Sequence, residues 1–180
     1  MCDGVHVPES VKNRRNYASG RIRDHMRNKI KLLFVCHGNI CRSPMAEFVM
    51  KHLVSEAGLQ DEFEIASAAT STEEIGNPVY PPARRKLAEH GISCAGKTAR
   101  QIRRSDYEVY DYIIGMDDAN LRNMKRAFGG DPDHKVSLLM DYTGHPRSVA
   151  DPWYTGDFEA TWNDVLEGCT ALLAEIQETR

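Results

Sequence analysis

Apolar residues along this chain gather into short runs that alternate with amphipathic stretches. "IKLLFVC", Ile30 to Cys36, is apolar throughout apart from Lys31. That is the pattern of a short strand buried on both faces. Next, "MAEFVMKHLVSEAG" spaces its apolar residues at helical intervals. Ser43 and Pro44 predict an N-cap and a first helical position, and Gly58 predicts the stop. "FEIASAA" (Phe63–Ala69), "YDYIIGM" (Tyr110–Met116) and "KVSLLMDY" (Lys135–Tyr142) read as three further strands. "PPARRKLAEHG", "DDANLRNMKRAFGG" and the stretch from Asp157 to about Glu178 read as helices. Strands alternating with helices predict an α/β fold: one domain with a central four-stranded parallel sheet and helices on both faces. Ligands of such sheets bind beyond the carboxyl ends of the strands. Cys36 ends the first strand and Asp151 follows the fourth, so the two can meet at one edge.

Composition supports this picture. The chain has 180 residues, 41% of them hydrophobic, enough for one domain with a substantial core. No apolar run is long enough for a membrane span, and the N-terminus lacks the apolar region of a secretory signal. The formal charge of −3 argues against nucleic acid as the main partner. That charge is unevenly spread, since residues 1–31 carry +5 and the remainder −8. Residues 1–28 are therefore expected to be a flexible basic extension, and residues 29–180 the folded domain. Met26 is a second candidate start, and Asp3, Glu9 and Asp24 weigh against a transit peptide. Five irregularly spaced cysteines do not make a secreted disulfide framework, so a reducing, cytoplasmic setting is expected. A monomer is the expected state.

The candidate chemistry lies in "FVCHGNICRSPMAE", Phe34 to Glu47. Cys36 and Arg42 are spaced C-x5-R, a weak signal alone, since "CAGKTAR" repeats it at Cys94 and Arg100. Context separates the two copies. The first leaves a buried strand and enters a helix, which turns successive backbone N–H groups and the helix N-terminus toward one concavity. Gly38 allows the turn, and Arg42 can fork two donors onto phosphate oxygens. The same positive field favours the Cys36 thiolate, and Ser43 can donate to its sulfur. Cys36, His37 and Cys41 lack the further ligands that a zinc clip needs, so neither metal nor cofactor is expected. Cleavage of a phosphoester by a thiolate also needs a proton for the leaving oxygen. "VADPWY" supplies Asp151, followed by Trp153 and Tyr154, whose rings could wall a slot for a phenyl group. Asp131-Pro132, after a Gly-Gly helix stop, reads as a turn. "GISCAGKT", Gly91 to Thr98, matches a nucleotide-binding pattern literally. It lacks a preceding strand, and Lys97 there reads as a surface charge.

"VCHGNICRSPMAE", taken with the later Asp-Pro-aromatic, resembles the signature of the low-molecular-weight protein tyrosine phosphatases, and the likeness runs from Ile30 to the C-terminus. The resemblance implies hydrolysis of phosphotyrosine proteins or small aryl phosphates through a phosphocysteine. Cys36 would be nucleophile, Arg42 and the loop from His37 to Ser43, with Gly38, Asn39, Ile40 and Cys41, the phosphate cradle, and Asp151 the general acid and base. It implies a polar network of Asn39, Ser43, Ser67 and His90 behind that loop. It also implies a protective disulfide between Cys41 and oxidised Cys36. Glu73 falls where many relatives place an aromatic or apolar residue at the pocket rim. Related alternatives are a protein-arginine phosphatase, against which Ile40 and Trp153-Tyr154 count, and an arsenate reductase, whose extra cysteine pair is incomplete here with Cys94 alone. A phosphate-binding module without catalysis is the alternative of another class.

Overall fold

The computed structural model describes residues 28–180. The basic extension expected at the N-terminus therefore lies, up to residue 27, outside the described residues. Four strands form a single sheet: β1 (Ile30–Cys36), β2 (Phe63–Ala69), β3 (Tyr112–Gly115) and β4 (Val136–Leu138). All neighbours are parallel, in the order β2-β1-β3-β4. β1 is central, pairing along its whole length with β2 and over Leu32–Val35 with β3. Its side chains alternate between two cores. Leu32, Phe34 and Cys36 enter the core that contains Val49, Leu87 and Leu172. Leu33 and Val35 enter the core that contains Met124 and Phe128. Both faces of β1 are buried, which accounts for its nearly unbroken apolar run.

On the first face lie the helices α1 (Arg42–Glu56), α2 (Pro81–Glu89) and, at the C-terminal end of the chain, α6 (Phe158–Glu178). Between α2 and α6 come α3 (Asp106–Val109), α4 (Asp118–Phe128) and α5 (Pro152–Thr155). α4 covers the second face. Its start is fixed by a capping box in which the Asp117 side chain accepts from the Asn120 backbone N–H, and its end by Gly129 in the left-handed region, φ 77°.

Three elements have bounds that differ from those the sequence predicts. α1 begins at Arg42 with Cys41 as its N-cap, so Ser43 and Pro44 lie inside the first turn. Ser43 does not cap because its hydroxyl faces Cys36 Sγ, 3.0 Å away. The third strand is trimmed at both ends; at its start, Tyr110 closes the turn of α3 through its backbone N–H to Asp106. β4 is only three residues long, and Leu139–Tyr142 coil into a 3-10 turn. The Asp141 side chain accepts from the Leu138 N–H there, and Leu139 and Met140 are buried beneath α6. An apolar run cannot by itself distinguish a strand from a buried turn of helix.

Candidate active site

In the order β2-β1-β3-β4 the chain changes direction between β1 and β3, which opens a crevice beyond their carboxyl ends. Cys36 is the last residue of β1, Asp117 follows β3, and Asp151 caps α5 after β4. These residues converge. Arg42 is 97% buried and its guanidinium lies between two carboxylates: Nη1 is 2.7 Å from Asp117 Oδ2 and Nη2 is 3.1 Å from Asp151 Oδ2. Burial opposes its charge, but Cys36, Asp117 and Asp151 outweigh that and hold its pKa above the ordinary value.

Cys36, His37, Gly38, Ile40, Cys41 and Arg42 line a cavity of about 270 Å³ together with Asp151. Trp153 and Tyr154 form one side of its mouth, with Tyr80 packed on the Trp153 ring at 5.3 Å between centroids. Glu73 and Glu74 line the cavity as well, and the Glu73 carboxylate reaches the His37 ring nitrogen at 3.0 Å. The Glu73 side chain is largely exposed there, beside a loop residue. Among the described residues no group of three His, Cys, Asp or Glu is placed to hold a metal ion.

The loop's unusual backbone is at Asn39, not at Gly38. Asn39 has φ 59°, a left-handed conformation that side chains other than Asn and Asp seldom adopt. Gly38 lies close to Glu74: a Cβ there would come within 3.3 Å of Glu74 Cγ, a tight contact that a shift of a few tenths of an ångström in that side chain relieves. Asn39 is pinned from three sides. Its amide nitrogen donates to Ser43 and Ser67 Oγ at 2.9 Å each, and its amide oxygen accepts from the Arg100 backbone N–H at 3.2 Å. Its own backbone N–H points at Cys36 Sγ, 3.3 Å away.

His90 is not in this network. It lies exposed at the end of α2, its ring stacked on Trp162 at 3.7 Å. Glu47 and Lys97 are there instead. Ser67 Oγ donates to Glu47 Oε2 at 2.5 Å, and Lys97 Nζ lies 3.2 Å from the same oxygen. Lys97 is thus no surface charge, and burial lowers its pKa against the pull of Glu47. The segment Gly91–Thr98 that mimics a nucleotide loop has no strand before it and no helix after it, and its lysine is committed to Glu47. Arg100, of the second C-x5-R, pairs with Asp106 and not with Cys94.

Glu47 and Asp117 were not singled out from the sequence, and Lys97 was read there only as a surface charge. Asp117 carried a usable signal, since it follows a predicted parallel strand and starts a helix. Glu47 is one acid in an otherwise buried turn of α1. Lys97 carried no signal, because its partner lies in a distant part of the chain.

The chain is similar to known proteins over most of its length. Residues 31–180 match the family described as low molecular weight phosphotyrosine protein phosphatase. The chain belongs to that family. It is 39% identical over 153 residues to the low molecular weight protein-tyrosine-phosphatase YfkJ of Bacillus subtilis, covering 84% of this chain and 98% of the relative. The crystal structure of YfkJ superposes with a TM-score of 0.83 at 38% identity, covering 86% of this chain and 99% of that one. The low molecular weight phosphotyrosine protein phosphatase of Gallus gallus is 40% identical over 147 residues, 79% of this chain and 92% of its own. A solved Drosophila arginine phosphatase shares the fold at a TM-score of 0.75 and 32% identity, covering 82% of this chain and 98% of its own. As in these phosphatases, the sheet is four-stranded and wholly parallel. Among the described residues, no helix is long and apolar enough to cross a membrane.

Proposed function

We propose that this phosphatase hydrolyses phosphotyrosine in proteins, and small aryl phosphates, through a phosphocysteine intermediate. The observation that carries the reading is the placement of Cys36, Arg42 and Asp151 on one cavity whose mouth is flanked by two aromatic rings. The Cys36 thiolate attacks phosphorus in line with the leaving phenolic oxygen. Arg42 and the loop N–H groups hold the equatorial oxygens, where negative charge is greatest. The arriving phosphate takes the Arg42 Nη2 donor from Asp151. Asp151, released from the guanidinium, takes up a proton from solvent and gives it to the phenolic oxygen as the P–O bond breaks. In the second half, Asp151 takes a proton from water, the water oxygen bonds to phosphorus, and the S–P bond breaks to return the thiolate and free phosphate. Trp153 and Tyr154, 58% and 85% exposed, are available to stack against an incoming phenyl ring.

Cys41 would act after oxidation, capturing a Cys36 sulfenic acid as a disulfide with loss of water. Both thiols are free in the structure, as are Cys94 and Cys169. Phosphoarginine is the second reading, favoured by the fold shared with the Drosophila arginine phosphatase. The test is phosphate release, without added metal, from matched phosphotyrosine and phosphoarginine peptides by wild type and Cys36→Ser. Release from phosphotyrosine that is absent in the variant is expected. Release from phosphoarginine alone would replace the first reading with the second.

A further inference from the structure

Lys97 has no part in the mechanism above, yet its side chain is only 13% exposed and its ammonium faces the buried Glu47. An ammonium only donates. Lys97 donates to the Ser67 carbonyl at 2.9 Å and lies 3.2 Å from Glu47 Oε2. The other Glu47 oxygen lies 2.7 Å from the Lys51 ammonium. Between two ammonium groups Glu47 is a carboxylate, and a carboxylate only accepts. The Ser67 hydroxyl, 2.5 Å from Oε2, must therefore donate to it. With its single proton used, Ser67 can only accept from Asn39, whose amide nitrogen is 2.9 Å away. The amide is locked in that orientation because its oxygen already accepts from the Arg100 N–H. Its second proton goes to Ser43 Oγ. Ser43 thus accepts from Asn39 and keeps its own proton free. Of its two remaining acceptors, Cys36 Sγ is at 3.0 Å and the Ala68 carbonyl at 3.5 Å.

We propose that Lys97 and Glu47 are positioning residues that set the direction of every hydrogen bond in this chain, so that Ser43 donates to Cys36 and favours its thiolate. The proposal rests on the preceding reading only in taking Cys36 as nucleophile. Removing the Lys97 charge leaves a buried carboxylate facing Ser67 with Lys51 as its one remaining ammonium, which favours proton uptake by Glu47. The acid then donates to Ser67, Ser67 and Ser43 donate to an inverted Asn39 amide, and Cys36 is left to donate as a thiol. That inversion also takes the acceptor from the Arg100 N–H.

The test compares full-length wild type, Lys97→Met and Lys97→Arg. Alkylation of Cys36 by iodoacetamide is followed across mildly acidic to mildly alkaline pH, with the modified peptide read by mass. Burial raises the pKa of Cys41, Cys94 and Cys169, which keeps them out of that range. In Lys97→Met the pH midpoint for Cys36 is expected to rise by roughly one pH unit, the worth of one hydrogen bond to the thiolate. The kcat for a phosphotyrosine peptide at mildly acidic pH is expected to fall roughly tenfold, with KM changing much less. Lys97→Arg, which also only donates, is expected to restore both. A folded Lys97→Met with the wild-type midpoint would overturn the proposal, as would equal shifts in Met and Arg variants. If Lys97→Met does not fold, Lys97→Gln, which is uncharged and polar, takes its place with the same expected direction. A shifted midpoint in protein that releases no phosphate from the peptide would support the hydrogen-bond chain and remove the phosphotyrosine reading.

Discussion

Arg42 carries two carboxylates in the resting site, and they do different work. Asp117 is anchored as the cap of α4 and holds the guanidinium from behind, whereas Asp151 sits on the cavity side. Of the two, only Asp151 lines the cavity, where the proposed reaction puts the leaving group. Asp151→Asn is therefore expected to lower kcat for phosphotyrosine peptides by roughly 10²- to 10⁴-fold. The loss should be smaller for 4-nitrophenyl phosphate, whose leaving group needs no proton. Equal losses on both substrates would deny Asp151 the role of acid. Asn39 is a second test at this scale. Asn39→Ala removes both amide donors and leaves alanine in a left-handed conformation, so a stability loss of about 1–3 kcal/mol is expected in urea unfolding. A neutral result would show that the loop does not depend on that side chain.

Among the elements, β1 was readable to the residue because both its faces are buried and its ends are marked by Lys29 and the glycine loop. β4 was not, since "SLLM" is apolar whether it continues a ladder or turns into a 3-10 coil. The start of α1 failed for another reason: Ser43 has the chemistry of an N-cap, but its hydroxyl is committed to Cys36 and Asn39. The candidate loop was legible because the proposed nucleophile, its arginine and the turn residues lie within one short stretch. Lys97 and Glu47 were not, because only the packing of the loop before Arg100 against α1 brings them together. The 3-10 turn has its own consequence for α6. Gly168 lies against Leu139 so closely that a Cβ would meet Leu139 Cγ at 2.5 Å. Gly168→Ala is expected to cost about 1–3 kcal/mol by overpacking, despite alanine's better helix propensity. Thermal unfolding measures this, and a stabilised variant would mean that Leu139 has room to move.

For the whole molecule, the buried thiols tie stability to alkaline pH. Burial, with the charges of Cys36 and Asp151, pushes Cys41 from 9.0 up to about 12, and burial alone raises Cys169. Unfolded thiols ionise above their ordinary value while the folded ones keep their protons. Stability from these groups is therefore complete below about pH 9 and is lost as pH rises toward 12. Guanidinium midpoints are expected to fall across that window, more steeply in wild type than in Cys169→Ala. A flat profile would show that the thiols ionise equally in both states.

The central position of β1 bears on how this molecule comes apart. Its amides are bonded into ladders on both sides, so they should be among the last to exchange with deuterium, released only when the whole sheet opens. The reactive sulfur hangs from the end of that strand, not from a peripheral loop. Loss of catalysis on heating should then coincide with global unfolding, which makes an activity assay a direct reader of the folded population.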